Sequence, residues 1–297
     1  MKKRNTAELL LMLLVLVWSL NFSVIKYSLE EIDPHSFNAI RFALAILFMW
    51  GAVWYRKLNV RIRRRDLGKV FLLGMLGTLL YQLLFIIGIN RTNASNAAVM
   101  LGLIPVWIAI FSHFFSDEKM YRLQVIGVIL AFTGVLLIMA GGEQGLSFHS
   151  KSLIGDLIVV ISAMVFGAYT IMSRSMLGSY SPLTLATAVV TTGGFLLIIL
   201  AVPDLLALDF RSVSPAAWGG VAFSGIFAIG LAFLVWNLNL KNIGAIRTGT
   251  YQNMVPVLGV FFGVIFLGEK LHYLQYIGAL STIGGIILTR SAGIRRT

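Results

Sequence analysis

The sequence predicts an all-α, polytopic membrane protein: ten transmembrane helices arranged as two inverted five-helix repeats. Three observations carry this reading. Of 297 residues, 58% are hydrophobic and only 12% charged, which is more apolar surface than a soluble domain can cover. Ten apolar runs, each near the length of about 20 residues that a bilayer requires, fall at 9–27, 36–55, 69–89, 96–115, 122–140, 153–173, 182–202, 216–239, 246–267 and 273–290. The stretch 94–137 also recurs without gaps at 245–288, with 13 identities in 44 positions. Apolar runs match one another by composition alone. Pro105/Pro256, Glu118-Lys119/Glu269-Lys270, Gly127/Gly278 and Gly134/Gly285 in one register do not, and they mark an internal duplication.

A second alignment extends the repeat to the front of each half. At a shift of 148, Trp18-Ser-Leu-Asn21 meets Phe166-Gly-Ala-Tyr169, Lys26 meets Arg174 and Pro34 meets Pro182. The chain therefore divides into residues 1–140, a Gly-rich linker at 141–152 and residues 153–297. Five spans is an odd number, so the second copy enters the membrane upside down relative to the first. Inverted repeats of this kind are a recurring build of secondary transporters, with the substrate site near the midplane where the repeats meet.

The net charge of +12 raises the question of nucleic acid, and its placement answers it. With the N-terminus inside, 18 of the 24 Lys and Arg residues fall on inner loops or inner helix ends; Lys26, Arg41, Arg91, Lys151, Arg211 and Lys270 fall on the outer side. This bias sets orientation, so both termini are expected in the cytoplasm. The cluster 61–69 is then an inner-loop topology signal, and nucleic acid is not an expected partner. The first apolar run lacks a small-residue cleavage site and reads as a retained span. With no cysteine, disulfides and thiolate metal sites are excluded.

In chain order, the first span carries Trp18, Ser19, Asn21 and Ser23 in its second half; a mid-span amide is costly against lipid and should face other helices. Lys26 is expected to snorkel to the headgroups. An acidic turn, EEIDPHS, precedes the second span, where Arg41 is expected to snorkel outward or to pair with Asp33. Trp50, Trp54 and Tyr55 read as interface anchors. The third span is interrupted by Gly74, Gly77 and Gly88 and carries Tyr81-Gln82 near its centre. The fourth and ninth hold a central proline each, Pro105 and Pro256, which implies a paired kink or hinge. Before Pro256 comes TGTYQNM, the most polar mid-span segment. Three successive helical residues cover about 300° of arc, so Tyr251, Gln252 and Asn253 cannot all face one cavity.

The ten-span layout, Trp-Ser-x-Asn-Phe in the first span, and the duplicated Pro-Val followed by Glu-Lys and a glycine-bearing helix together resemble the EamA family of the drug/metabolite transporter superfamily. Ser19 stands where the family more often has glycine. The resemblance implies a multi-pass protein of the bacterial inner membrane that exports amino acids or related metabolites. It also implies that the first, third, fourth, sixth, eighth and ninth helices surround the path, with the fifth and tenth peripheral.

The expected substrate site is a cavity of aromatics and uncharged amides: Trp18, Asn21, Tyr81, Gln82, Tyr169, Tyr251, Gln252 and Asn253, with Trp236 and Asn237 nearer the inner interface. Without a central charge such a site should reject strongly anionic substrates. No enzyme signature is found, and no cofactor or metal is expected. All twelve acids read as helix-end or loop residues, with Glu118 and Glu269 in structural, turn-capping roles, so no proton-coupling carboxylate stands out. The expected partners are a small-molecule substrate and the lipid bilayer; a homodimer is compatible with the sequence and not required by it. The rival readings are a passive channel or lipid scramblase, and a structural subunit without transport.

Overall fold

The computed structural model describes residues 2–115, 122–141, 151–243, 248, 251–252 and 254–294. Every regular element among them is helical. Seven helical segments are long and apolar enough to cross a membrane: Leu9–Ser28, Pro34–Tyr55, Arg64–Arg91, Ala94–Phe111, Lys151–Met176, Pro182–Leu200 and Pro215–Asn242. Three shorter apolar helices, Val125–Ile138, Val255–Leu267 and Tyr273–Leu288, accompany them. Large apolar side chains such as Leu47, Ile129, Phe195, Ile265 and Leu280 stay exposed on the outside of the bundle, as expected where the surrounding medium is lipid.

Three helix starts follow one local rule. Helix α1 is Lys2–Ser28; α2, Pro34–Tyr55, opens with Asp33 accepting the backbone N–H groups of His35 (3.0 Å) and Ser36 (2.9 Å). Ser181 does the same for Pro182–Leu200 through Thr184 (3.0 Å), and Ser214 for Pro215–Phe223 through Ala217 (3.2 Å). In each case a short polar cap satisfies an orphan donor, and a proline follows where its missing N–H costs nothing.

The third span is not one uniform helix. It runs as α3 (Leu67–Gly74), a wide π turn over Met75–Leu80, and α4 (Tyr81–Arg91). The same sequence of states recurs in the second half of the chain: Pro215–Phe223, a π segment over Ser224–Leu231, and Ala232–Ile243. Glycines let neighbours close on these turns. A Cβ on Gly74 would stand 2.9 Å from Thr192 Cβ, and one on Gly77 would overlap the ring of Tyr169.

The fourth span is likewise divided, into α5 (Ala94–Leu101) and α6 (Ile104–Phe115), with the break just before its proline. Pro105 is the second residue of α6, and Pro256 the second residue of Val255–Leu267. A proline ring is tolerated in the first turn, where the N–H is unbonded in any helix, and clashes deeper in; the chain has therefore started a new helix before each. In the turn between α5 and α6, Leu103 N–H turns back to Met100 O at 3.1 Å. Gly102 in that turn lies against Pro256, whose Cγ would be 2.6 Å from an added Cβ, so the two proline starts face each other.

Helices α7 (Arg122–Ala140) and Tyr273–Ile294 form the closest pair in the bundle, glycine against backbone. Gly285 would bring a Cβ within 2.5 Å of Gly127 O, and Gly278 one within 2.8 Å of Ile138 N. Thr282 Oγ1 crosses the seam to Ala131 O at 3.3 Å. Small residues that admit backbones to contact, with a hydroxyl across the gap, are how helices associate where lipid is as apolar as leucine.

Candidate functional site

A partly open cavity, about 590 Å³ of empty space with the adjoining open space counted, lies where the front and back halves of the chain meet. Helix α1 contributes Trp18, Asn21 and Phe22; α4 contributes Tyr81, Gln82 and Phe85; the α5–α6 region contributes Leu101 and Ile104. From the back half come Phe166 of α8 (Lys151–Met176), Ala228 and Ile229 of the π segment, Phe233, Gln252 and Val255. The fifteenth lining residue is Arg41 of α2.

The walls are held by ring packing and by a few directed bonds. Trp18 Nε1 donates to Ala228 O at 3.0 Å, a carbonyl inside the π segment, and its ring lies 5.6 Å from that of Trp236. Tyr81 stacks on Phe85 at 6.0 Å and tilts over Phe166 at 4.7 Å. The wide turns matter here because a π turn shifts the register of the side chains that follow it; Tyr81 and Gln82 come directly after the first, and Phe233 just after the second.

Of the residues expected at the site, Trp18, Asn21, Tyr81, Gln82 and Gln252 line this cavity together. Tyr169 is fully buried behind it, in ring contact with Phe166 and Phe233. Trp236 backs the wall through Trp18 and Phe166. Asn237 is tied to Ser173 (3.1 Å) and to the carbonyl of Phe233 (2.9 Å). Tyr251 is half-buried and is not among the lining side chains, in keeping with the arc argument for neighbouring residues. Asn253 lies outside the described residues.

Arg41 is the residue that sequence reasoning misplaced. It is 1% exposed and neither snorkels nor meets Asp33, whose carboxylate is occupied in capping α2. Its Nε donates to Asn38 Oδ1 at 2.9 Å, Nη1 to Ser224 Oγ at 3.0 Å and Nη2 to Gln82 Oε1 at 2.6 Å. A usable signal was present in the Asn38-x-x-Arg41 spacing, which sets two polar side chains on one face of an otherwise apolar helix. The expectation of a cavity without charge is thereby overturned.

Two further expectations change. Lys26 turns to protein instead of headgroups: its ammonium donates to Ile89 O (3.0 Å) and Asn90 O (3.2 Å) in the last turn of α4, where a cation complements the unbonded carbonyls. Asp156 lies in the second turn of α8 at 1% exposure, deeper than a helix-end residue. It accepts from Thr92 Oγ1 at 2.5 Å and Asn96 Nδ2 at 3.3 Å. It does not line the cavity. Among the described residues, no group of His, Cys, Asp and Glu is arranged to hold a metal ion.

Comparison with known proteins follows the same outline. The model of the EamA-like transporter family matches residues 5–140 and 153–291. The chain is 29% identical to the uncharacterized transporter YyaM of Bacillus subtilis, over 92% of this chain and 90% of that one. It is equally 29% identical to an uncharacterized transporter of Archaeoglobus fulgidus, over 94% and 97%. A probable terminal-alkyne amino-acid exporter of Streptantibioticus cattleyicolor shares 25% identity over 99% and 97%. One solved crystal structure superposes with a TM-score of 0.71 over 98% of both chains at 19% identity, a likeness of fold alone.

Proposed function

The chain belongs to the EamA-like transporter family, and from that premise we propose that it is a secondary transporter of the bacterial inner membrane that exports amino acids or related small polar metabolites by alternating access. Counting the three shorter apolar helices as spans gives ten, in two inverted five-helix repeats, residues 1–140 and 153–297, joined by 141–152. Lys and Arg placement orients both termini to the cytoplasm.

The observation that carries the reading is the cavity itself, lined from both halves of the chain by aromatic rings, three amides and one cation. A site between two repeats that can rock against each other is open to one side at a time. Helices α7 and Tyr273–Ile294, which pair with each other, contribute nothing to the lining, in line with a peripheral role. The second helix does contribute, through Arg41, which the family resemblance did not imply. The amino-acid substrate class draws support from the relative named as a probable amino-acid exporter.

Reconstitution in liposomes tests this. Saturable uptake of a labelled amino acid that speeds up when unlabelled amino acid is placed on the opposite side is the expected result. Flux that neither saturates nor responds to the opposite side indicates a channel or scramblase, and no flux for any metabolite indicates a structural subunit.

A further inference from the structure

We propose that Arg41 is the anchor for a carboxylate of the molecule held in the cavity, so that the site selects substrates pairing an anionic end with an apolar body. The inference rests on reading the cavity as the transport site, and it replaces the sequence expectation of an uncharged cavity that rejects strongly anionic substrates.

Arg41 is buried, lines the cavity and has only neutral partners: Asn38, Ser224 and Gln82. Among the described residues the ion pair found is Arg63 with Asp66, and no carboxylate compensates Arg41. A guanidinium taken out of water without a counter-charge is costly, and an ionisable side chain kept inside a membrane bundle usually marks a substrate or ion path. Simple helix glue would be served by an amide at the same position, at lower cost.

The geometry fits an anion. A guanidinium carries five N–H donors in a planar fork; three are used by Asn38, Ser224 and Gln82, which leaves two. The plane is steadied by the rings of Phe37, Phe42 and Phe85, whose centroids lie 5.2, 5.8 and 5.9 Å from Cζ. A pre-aimed fork with spare donors favours bidentate contact with a carboxylate. The same cavity offers the complementary polarity. Asn21 Oδ1 and Gln252 Oε1 are buried carbonyl oxygens with no hydrogen-bond partner among the described residues, suited to an ammonium. Aromatic walls between these ends accommodate an apolar side chain.

Trp18 is in the lining, so tryptophan fluorescence of the purified full-length chain reports occupancy without requiring transport. The probes are L-phenylalanine, 3-phenylpropionate (carboxylate only), 2-phenylethylamine (ammonium only) and phenyl phosphate. Phenylalanine and phenylpropionate are expected to quench saturably, with phenylethylamine weaker by roughly tenfold or more. Arg41→Lys should weaken both carboxylates by roughly tenfold, since a point charge replaces the fork, and Arg41→Gln should remove their binding while strengthening that of the amine, which no longer meets a like charge.

Equal binding of the amine and phenylalanine overturns the proposal, as does a folded Arg41→Gln variant that binds carboxylates within a factor of about two of wild type. So does failure of every anion to bind the wild type. Tighter binding of phenyl phosphate than of either carboxylate overturns the assignment to a carboxylate. If Arg41→Gln does not fold, the wild-type panel and Arg41→Lys decide. Arg41-dependent phenylpropionate binding with no amino-acid exchange in liposomes rejects the amino-acid reading and upholds the anchor; exchange that is indifferent to Arg41→Lys does the opposite.

Discussion

The carboxylate of Glu269 accepts the backbone N–H of Ala94 at 2.6 Å and that of Ser95 at 3.0 Å, with the Ser95 hydroxyl on the same oxygen as the latter. The turn after one apolar helix thus caps the start of another that lies 175 positions earlier. A charged cap on a helix N-terminus satisfies orphan donors and complements the helix dipole. Replacing Glu269 with Ala is expected to lower thermal stability by about 1 kcal/mol, and with Gln by less, because one carbonyl oxygen can still accept. Unfolding in detergent measures both; unchanged melting in the alanine variant would show that the cap contributes nothing.

The facing proline starts lead to a second expectation. Alanine at Pro105 restores a backbone donor and lets α5 and α6 join, and alanine at Pro256 removes a helix start of the same design. Either substitution should slow exchange in liposomes while membrane insertion and yield stay near normal. Gly102→Ala should act in the same direction by a different cause, since its Cβ would press on Pro256 Cγ. Exchange at wild-type rate in all three variants removes any hinge role from this turn.

What the sequence made legible, and what it did not, divides along physical lines. The apolar helices are local: the length of an apolar run acts through neighbours along the chain. Trp18, Asn21, Tyr81 and Gln82 were legible as inward-facing because a polar group facing lipid is too costly. Arg41 was not, because a long cation near a helix end has two low-energy solutions, outward to headgroups or inward to acceptors. The inward acceptors, Gln82 and Ser224, are 41 and 183 positions away. The same ambiguity misled the reading of Lys26. The π turns at 75–80 and 224–231 left no trace in the apolar pattern, yet they set which residues of the third and eighth spans face the cavity.

A pH effect is expected outside the spans. Ser214 donates its backbone N–H and its hydroxyl to Glu31 at 2.6 and 2.7 Å, and these bonds hold the Glu31 carboxyl below the usual glutamate range. Because the folded value is the lower one, this contact stabilises fully above the unfolded value of about 4.3 and is lost as pH falls through the folded value. Glu31 is exposed, so the effect is small. Between about pH 5 and about pH 3, wild type should lose more thermal stability than Glu31→Gln; parallel curves for the two proteins would remove Glu31 as the cause.

Orientation is tested directly in this cysteine-free chain. Single cysteines at Arg63 and at Gln144, the latter outside the described residues, should differ in intact cells: an impermeant thiol reagent is expected to label position 144 and spare position 63. The reverse pattern inverts the topology, and with it the direction assigned to transport.

The sharpest contrast available is between an amide that meets substrate and one that joins helices. Asn21 lines the cavity with its Oδ1 unpartnered among the described residues, whereas Asn237 spends its side chain on Ser173 and the Phe233 carbonyl. A near-isosteric leucine at Asn237 leaves Ser173 Oγ without that acceptor and should lower stability by about 1 kcal/mol, with substrate preference unchanged. Leucine at Asn21 removes an orphaned acceptor from an apolar wall, which is neutral or mildly stabilising, and should change apparent affinity or selectivity instead. KM values for two substrates of different size, together with melting temperatures of both variants, separate the cases. If Asn21→Leu lowers stability as Asn237→Leu does and leaves both KM values alone, Asn21 is a packing residue and the substrate is held elsewhere along the cavity wall.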